Sequence, residues 1–466
     1  MASTLVFNVR RQEPILIAPA KPTPHEFKPL SDIDDQESLR CQVPTIHIYR
    51  NHPFVRGRIL TQFLKYALAE ALVFYYPLAG RLRERPARKL VVECTGEGIL
   101  FIEAEADIAL DELGDAPQPP FPYFDELLYD VPGSGHILNS PLLLIQLTNL
   151  TCGGFIIGLR FNHAICDTTG AAQFMRAVVE MGLGASAPSI PPVWERELLN
   201  ARNPPRVTCH HPEFEDLPQP TRVDAGLPPK QMLHRSFFFG AGDIASLRKL
   251  LPPHLSSTTT TFELLTACLW RCRTIAIRSD PGEEVKVILV VNARSKFSPP
   301  LPSGYYGSVT ASPAAVSPAG KLCRSPLEYA VELVKEAKVR VTQEYMQSVA
   351  DLMVVKGRPA KTAVRSWVVS DLTRVGSKDV ADFGSGAPVY SGPGKAFVWE
   401  NGMAASFFLP FRNGKGKDQE GILVPFCLSA EEMERFSTEI EIMLNGKEEY
   451  KEGEVVVESP VTVAMS

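Results

Sequence analysis

The sequence predicts a mixed α/β protein built as two sheet-containing domains, and three observations carry that prediction. Helical and strand patterns alternate, yet neighbouring apolar runs are often joined by short turns, as PLLLIQLTNL and FIIGLRF are by TCGG. Such hairpins break the regular βαβ beat of a Rossmann or barrel fold. The chain has 466 residues, enough for two domains of roughly 200 residues each. Between residues 185 and 230 it becomes proline-rich and loses every period, which reads as a long crossover. The expected division is therefore 1–184, a crossover over 185–230, and 231–466.

The elements follow in order. LVFNVRRQEPILIAPAKPTP reads as one short strand and a proline-rich loop. SDIDDQESLRC (31–41) reads as a polar surface turn, because its acids lack the ligand spacing and loop glycine of a calcium site. QVPTIHIYR (42–50) fits a strand. Leu60, Phe63, Leu64, Ala67, Leu68 and Ala71 recur at helical spacing within 57–74, and Pro77 and Gly80 forbid continuation. KLVVECTGEGILFIEAEA (89–106) reads as a hairpin around Gly96 and Gly98. The second arm of the TCGG hairpin delivers the chain to His163. Ala171, Phe174, Met175, Val178 and Met181 then mark a helix that ends at Gly182 and Gly184.

Past the crossover, HRSFFFG (234–240) reads as a strand and DIASLRKLL as a short helix with Asp243 as its N-cap. TTFELLTACLWRCRTIAI is a core helix, and VKVILVVNAR (285–294) a buried strand. Ser325, Pro326 and Glu328 have the order of an N-cap, a first helical position and a reach-back acid. GMAASFFLPF and GILVPFCL flank RNGKGKDQE as a long hairpin, and Ser429 with Glu432 caps a last helix carrying Met433, Phe436 and Ile440.

The bulk numbers exclude several function classes. A net charge of −5 gives no electrostatic reason to expect nucleic acid. Nine cysteines are scattered without a CxxC pair, and MASTLVFNVRRQEP lacks the apolar core of a signal peptide. VTVAMS is not a peroxisomal address, and no apolar run reaches the roughly 18 residues of a membrane span. A reducing, cytoplasmic compartment is expected.

The chemistry concentrates in FNHAICDTTG (161–170). His163 stands four residues ahead of Asp167, between an apolar strand and an amphipathic segment. A histidine there could take a proton from a hydroxyl or amine near neutral pH, or could simply be bonded to a local carbonyl. By itself HxxxD is a weak signal. No second His or Cys cluster supplies zinc ligands, so no metal is expected. His210 and His211 are adjacent, with diverging side chains, and read as solvated imidazoles of the crossover. Cys268 and Cys272 share a helix face among Leu265, Leu269 and Trp270 and read as core. GxSxG, a P-loop and GxGxxG are all absent. What remains is His163 as general base for an external nucleophile, which requires an already activated acyl donor.

Several motifs converge on one resemblance. HAICD (163–167), DFGSG (382–386), YYPLAGRL (75–82), VNARSKF (291–297) and LPSGYYGS (301–308) are similar to motifs of the BAHD family of plant acyl-CoA-dependent acyltransferases, nearly end to end. RRQEPILIAPAKPTPHE, NPPRVTCHH and SPPLPSGYYG resemble its branch of benzyl alcohol benzoyltransferases and fruit alcohol acyltransferases. The resemblance implies two chloramphenicol-acetyltransferase-like domains, a solvent channel between them, and a monomer. It implies that His163 deprotonates an acceptor alcohol as its oxygen attacks the thioester of an acyl-CoA co-substrate. Benzoyl-CoA with benzyl alcohol is the leading pair; acetyl-CoA, or a larger alkaloid or terpenoid hydroxyl, is the alternative.

The same resemblance turns Asp167 away from the channel toward Arg294, where it shapes the loop. It makes Asp382, Gly384 and Gly386 structural supports, and Ser257 and Thr258 contacts for the nucleotide end of CoA, with helix capping the competing reading of those two. Ser370 and Thr373 are candidate oxyanion donors. Ser385 stands where the family usually has Trp, which leaves a catalytically silent binding protein as the reading from a different class.

Overall fold

The computed structural model describes residues 7–51, 57–114, 116–121, 124–128, 130, 133, 136–215, 232–374, 383, 386–399, 402–414 and 420–445. The first half contains β1 (Val9–Arg11), β2 (Ile15–Ile17), β3 (Phe27–Pro29), β4 (Gln42–Tyr49), α1 (Gly57–Phe74), β5 (Arg81–Glu84), β6 (Leu90–Glu93) and β7 (Ile99–Ala106). The short α2 (Phe124–Leu127), β8 (Leu143–Leu150), β9 (Phe155–Asn162) and α3 (Thr168–Gly182) complete it.

After the crossover come β10 (Met232–Gly240), α4 (Ala241–Lys249), α5 (Pro253–Ser256), α6 (Thr261–Ile277), β11 (Glu284–Asn292), β12 (Thr310–Ala311) and β13 (Ala314–Pro318). Then follow α7 (Ala319–Arg324), α8 (Leu327–Val339), α9 (Gln343–Val355), β14 (Ser366–Asp371), β15 (Tyr390–Gly392), β16 (Phe397–Val398), β17 (Ala404–Arg412), β18 (Glu420–Ser429) and α10 (Ala430–Leu444).

Two large sheets organise these elements. The first runs β1-β7-β8-β9-β4-β15, the second β10-β18-β17-β14-β11-β12, and β3-β6-β5 form a small third sheet. In the first sheet only β7 and β8 are parallel, while β14 lies parallel to both β11 and β17 in the second. Each sheet carries helices on one face. Leu64, Leu68 and Leu72 of α1 pack with Phe174 and Val178 of α3 over Phe155, Ile157 and Leu159 of β9. Leu265, Leu269 and Trp270 of α6 meet Val331 and Val334 of α8 and Phe436 of α10 in the second core. Strand alternation turns Ile46 and Ile48 to the other face of the first sheet, where they join Leu409, Phe411 and Leu423 of the second. One strand crosses over: β15 comes from the second half yet forms the edge of the first sheet, pairing Ser391 with His47. This is the mixed two-sheet architecture that the sequence predicts.

Several local expectations are corrected. The opening segment forms two strands, β1 and β2, both on β7. Residues 89–106 are no hairpin: β6 pairs with β3 and β5, whereas β7 enters the large sheet. The stretch at 31–36 is buried, with Ser31, Asp34 and Asp35 at 0% exposure, because cations, most of them distant in sequence, neutralise it. Arg196 pairs with Asp34 (2.9 Å), Arg40 and Arg358 with Asp35 (2.7 and 2.8 Å), and Lys89 with Asp32 (2.5 Å).

Asp243 is not a cap but accepts the Gly240 N–H (2.9 Å) from the first turn of α4. Ser325 ends α7, and Pro326 stands before α8. Ser429 and Glu432 do start α10, the Ser429 N–H donating to Glu432 at 3.1 Å. Cys268 and Cys272 are core, both at 0% exposure.

Candidate active site

β9 ends at Asn162, and the next five residues make a tight corner before α3. The His163 N–H donates to the Cys41 carbonyl (2.9 Å), tying the corner to the end of the buried acidic turn. Asn162 Oδ1 accepts the Ala164 N–H (3.1 Å), and Arg196 donates to the Ile165 carbonyl (2.8 Å). Asp167 then caps α3 by accepting the Gly170 N–H at 3.0 Å. Gly170 is required there, since a Cβ would stand 2.1 Å from the Tyr306 carbonyl oxygen.

The Asp167 carboxylate is committed elsewhere than to His163. It accepts both Arg294 guanidinium arms (2.7 and 2.9 Å) and the Val309 N–H (3.1 Å) in addition to Gly170. Arg294 also donates to the Gly307 carbonyl (2.8 Å). This two-pronged ion pair joins the start of α3 to the second half of the chain. His163 Nδ1 is buried without a hydrogen-bond partner among the described residues, and the ring lies edge-on to Phe161 at 6.0 Å. Burial lowers its pKa below the ordinary imidazole value; its own and the Cys166 carbonyls and Asp167 oppose this, and Lys361 adds to the lowering.

His163 and Asp167 line a cavity of about 170 Å³. Its far wall comes from the second sheet and its loops: Asn292, Ser370, Lys361, Phe397, Trp399 and Phe407. Ser38, Cys41, Lys361, Phe397, Trp399, Met403 and Phe407 also border a wider opening of about 790 Å³, so the inner chamber is reached through a broad mouth. A partly buried imidazole faces a narrow, largely apolar space with a few hydroxyls. That arrangement suits proton abstraction from a neutral nucleophile away from bulk water.

The remaining candidates divide. Ser370 lines the cavity; Thr373 does not, and its hydroxyl and N–H both donate to Asp371 Oδ1 (2.5 and 2.9 Å). Ser257 and Thr258 lie outside the cavity lining, beyond α5, where their hydroxyls donate to the Pro253 (3.3 Å) and His254 (3.1 Å) carbonyls. The start of α6 is capped by Thr260 and Glu263 instead. Gly386 has φ +79° with open space around it, while Asp382 and Gly384, like Ser385, lie outside the described residues. Phe383 is buried against Tyr49, edge-on at 5.7 Å.

Sequence reasoning passed over Lys361, Arg196 and the aromatic wall, none of which sits in a periodic or motif context. It also misplaced His211, which is 4% exposed rather than solvated. Ser348 Oγ lies 2.9 Å from His211 Nε2, and His211 Nδ1 lies 3.2 Å from Glu213. The connectivity is that of a hydrolase triad. Ser348 Oγ, however, accepts the Thr208 and Cys209 N–H groups (3.0 and 2.9 Å) and is fully buried. It pins the crossover to α9 and offers no attacking lone pair. Among the described residues no group of side chains could hold a metal ion, and no helix is long and apolar enough to cross a membrane.

Comparison with known proteins agrees with this fold. The solved structure of vinorine synthase superposes with a TM-score of 0.70 at 21% identity, covering 94% of this chain and 98% of that one. The structure of F. sporotrichioides TRI101 complexed with coenzyme A and T-2 gives 0.65 at 17%, over 91% and 98%. Benzyl alcohol O-benzoyltransferase of Petunia hybrida is 59% identical over 96% of this chain and 95% of its own length. Its counterpart from Nicotiana tabacum is 57% identical over 95% of both. Alcohol acyl transferase 1 (allele GSd) of Malus domestica is 53% identical over 94% of both. A family model described as the transferase family matches residues 7–443, and the chain belongs to that family, the BAHD acyl-CoA-dependent acyltransferases.

Proposed function

We propose that this enzyme transfers a benzoyl group from benzoyl-CoA to an aromatic alcohol, benzyl alcohol being the simplest, with His163 as general base. The observation that carries the reading is His163 in the narrow cavity between the two sheets, with Asp167 withdrawn to Arg294. The relatives that act on benzyl alcohol supply the substrate class.

The neutral imidazole accepts the hydroxyl proton as the alcohol oxygen forms a bond to the thioester carbon. The carbonyl electron pair moves onto oxygen, where the Ser370 hydroxyl is the candidate donor. Collapse of that oxyanion breaks the carbon–sulfur bond, and the imidazolium returns its proton to the departing CoA thiolate. Ester and free CoA leave, and the enzyme is unchanged. The apolar walls matter because water admitted here would compete with the alcohol.

Ser257 and Thr258, with Lys335 donating to Thr258 Oγ1 at 2.9 Å, are our candidates for the phosphate end of CoA. The test is thiol release from benzoyl-CoA and acetyl-CoA against a panel of alcohols. Alcohol-dependent release with benzoyl-CoA should fall by about 10²–10⁴-fold in His163→Ala, the range of a general base. Release that survives this change would remove His163 from the mechanism; no release from folded protein with any pair would favour a silent relative.

A further inference from the structure

Lys361 is the feature of the cavity that transfer of benzoyl to plain benzyl alcohol does not use. It stands between Ala360 and Thr362 and lines both the inner chamber and its mouth. Its Nζ donates to Ser312 Oγ at 2.8 Å, and it forms no ion pair among the described residues. The other cations of the mouth are all matched. Arg40 is held by Asp35 and Glu84 (2.7 and 2.8 Å), Arg160 by Asp130 (2.7 Å), and Lys395 faces Asp125 at 3.9 Å. An ammonium has three donors. Among the described residues Nζ engages Ser312 alone, and the apolar part of the wall, Val43, Phe397, Trp399, Met403 and Phe407, offers no acceptor.

We propose that Lys361 is a specificity-determining residue that receives a second oxygen function, best a carboxylate, on the acceptor alcohol. The assignment rests on the acyl-transfer reading above. The oxygen falls to the acceptor because the benzoyl group carries only the carbonyl oxygen attacked at His163, while Ser257 and Thr258, the candidates for the phosphate end of CoA, lie outside this cavity. An ammonium flanked by apolar side chains at the inner end of the mouth is only partly solvated, so a ligand oxygen there binds more strongly than it would in water. Burial brings the Lys361 pKa down to about 8, against the opposing influence of Glu213 and Cys41. His163, Asp167 and Asp371 are the other titratable groups of the cavity wall; Asp167 is occupied by Arg294, and Asp371 receives Thr373. The lysine therefore stays cationic at neutral pH and loses its charge just above it.

The experiment compares kcat/KM for benzyl alcohol with the ortho, meta and para hydroxybenzyl alcohols and (hydroxymethyl)benzoates, all with benzoyl-CoA. At least one carboxylate isomer should exceed benzyl alcohol about tenfold at pH 7, with the matching phenol between them. That ratio should decline above pH 8, collapse in Lys361→Met, and be partly retained in Lys361→Arg. Equal kcat/KM across the panel overturns the assignment while leaving acyl transfer standing, and so does a Lys361→Met effect confined to the KM of benzoyl-CoA. Absence of thiol release with every alcohol overturns the acyl-transfer reading and this one with it.

Discussion

His163, the proposed proton acceptor, is tuned by its surroundings. Burial is the largest influence on His163, and Lys361 across the chamber acts in the same direction. Only the neutral imidazole can take a proton, so a lowered pKa keeps the base competent at more acidic pH. We expect kcat/KM for benzoyl-CoA and benzyl alcohol to hold from neutrality down past about 6.5, the ordinary imidazole value, and to fall only below it. A pH–rate profile whose acidic limb lies at or above that value would contradict the assignment. At this scale the sequence was most legible where a motif fixes a local geometry: His163 and Asp167 at one corner, with Arg294 brought to them. It was silent where function depends on charge matching over distance. Asp34 and Asp35 read as solvated because Arg196 and Arg358, which pair with them, are more than 150 residues away, and the nearby Arg40 alone does not announce burial.

Pairings between elements show the same division. His47 of β4 bonds Ser391 of β15 through Nδ1 (2.9 Å) and Thr45 through Nε2 (3.3 Å), and burial lowers its pKa to about 4. The unfolded residue titrates near 6.5, so between the two values only the unfolded chain takes up the proton. Stability should therefore fall as pH drops from 6.5 toward 4 and level off below, a total of about 3 kcal/mol from this residue. Thermal melts across that window should slope less steeply in His47→Gln; an identical slope would absolve His47.

The β8–β9 hairpin was legible because its turn and both strands are contiguous. The supposed hairpin at 89–106 was not, because β7 takes β8 as a parallel partner some 40 residues on, and no local signal announces that. Capping misread in the same way. Ser325-Pro326 contains every cap residue, yet the preceding α7 claims Ser325 as its own end.

Across the whole molecule, the crossover is anchored at Arg196. Its guanidinium binds Asp34, donates to the Ile165 carbonyl and lies over the Trp194 ring at 4.3 Å, while Asp34 also accepts the Ser308 N–H (2.9 Å). The first half, the crossover and the second half thus meet two residues from His163. Arg196→Met would leave a buried carboxylate unpaired, at a cost of about 3–5 kcal/mol. Urea unfolding should show that loss, and kcat should fall with it; an unmoved midpoint would mean the node relaxes freely.

The two-part plan was visible in the proline-rich stretch at 185–230, since composition changes there. The return of β15 to the first sheet was hidden, since a three-residue strand carries almost no pattern. That short strand also limits how such enzymes can be recombined. A chimera spliced at the crossover carries Tyr390–Gly392 from one parent into a sheet edge shaped by the other, so swapping halves to trade substrate preferences requires that this seam be exchanged together with its bed.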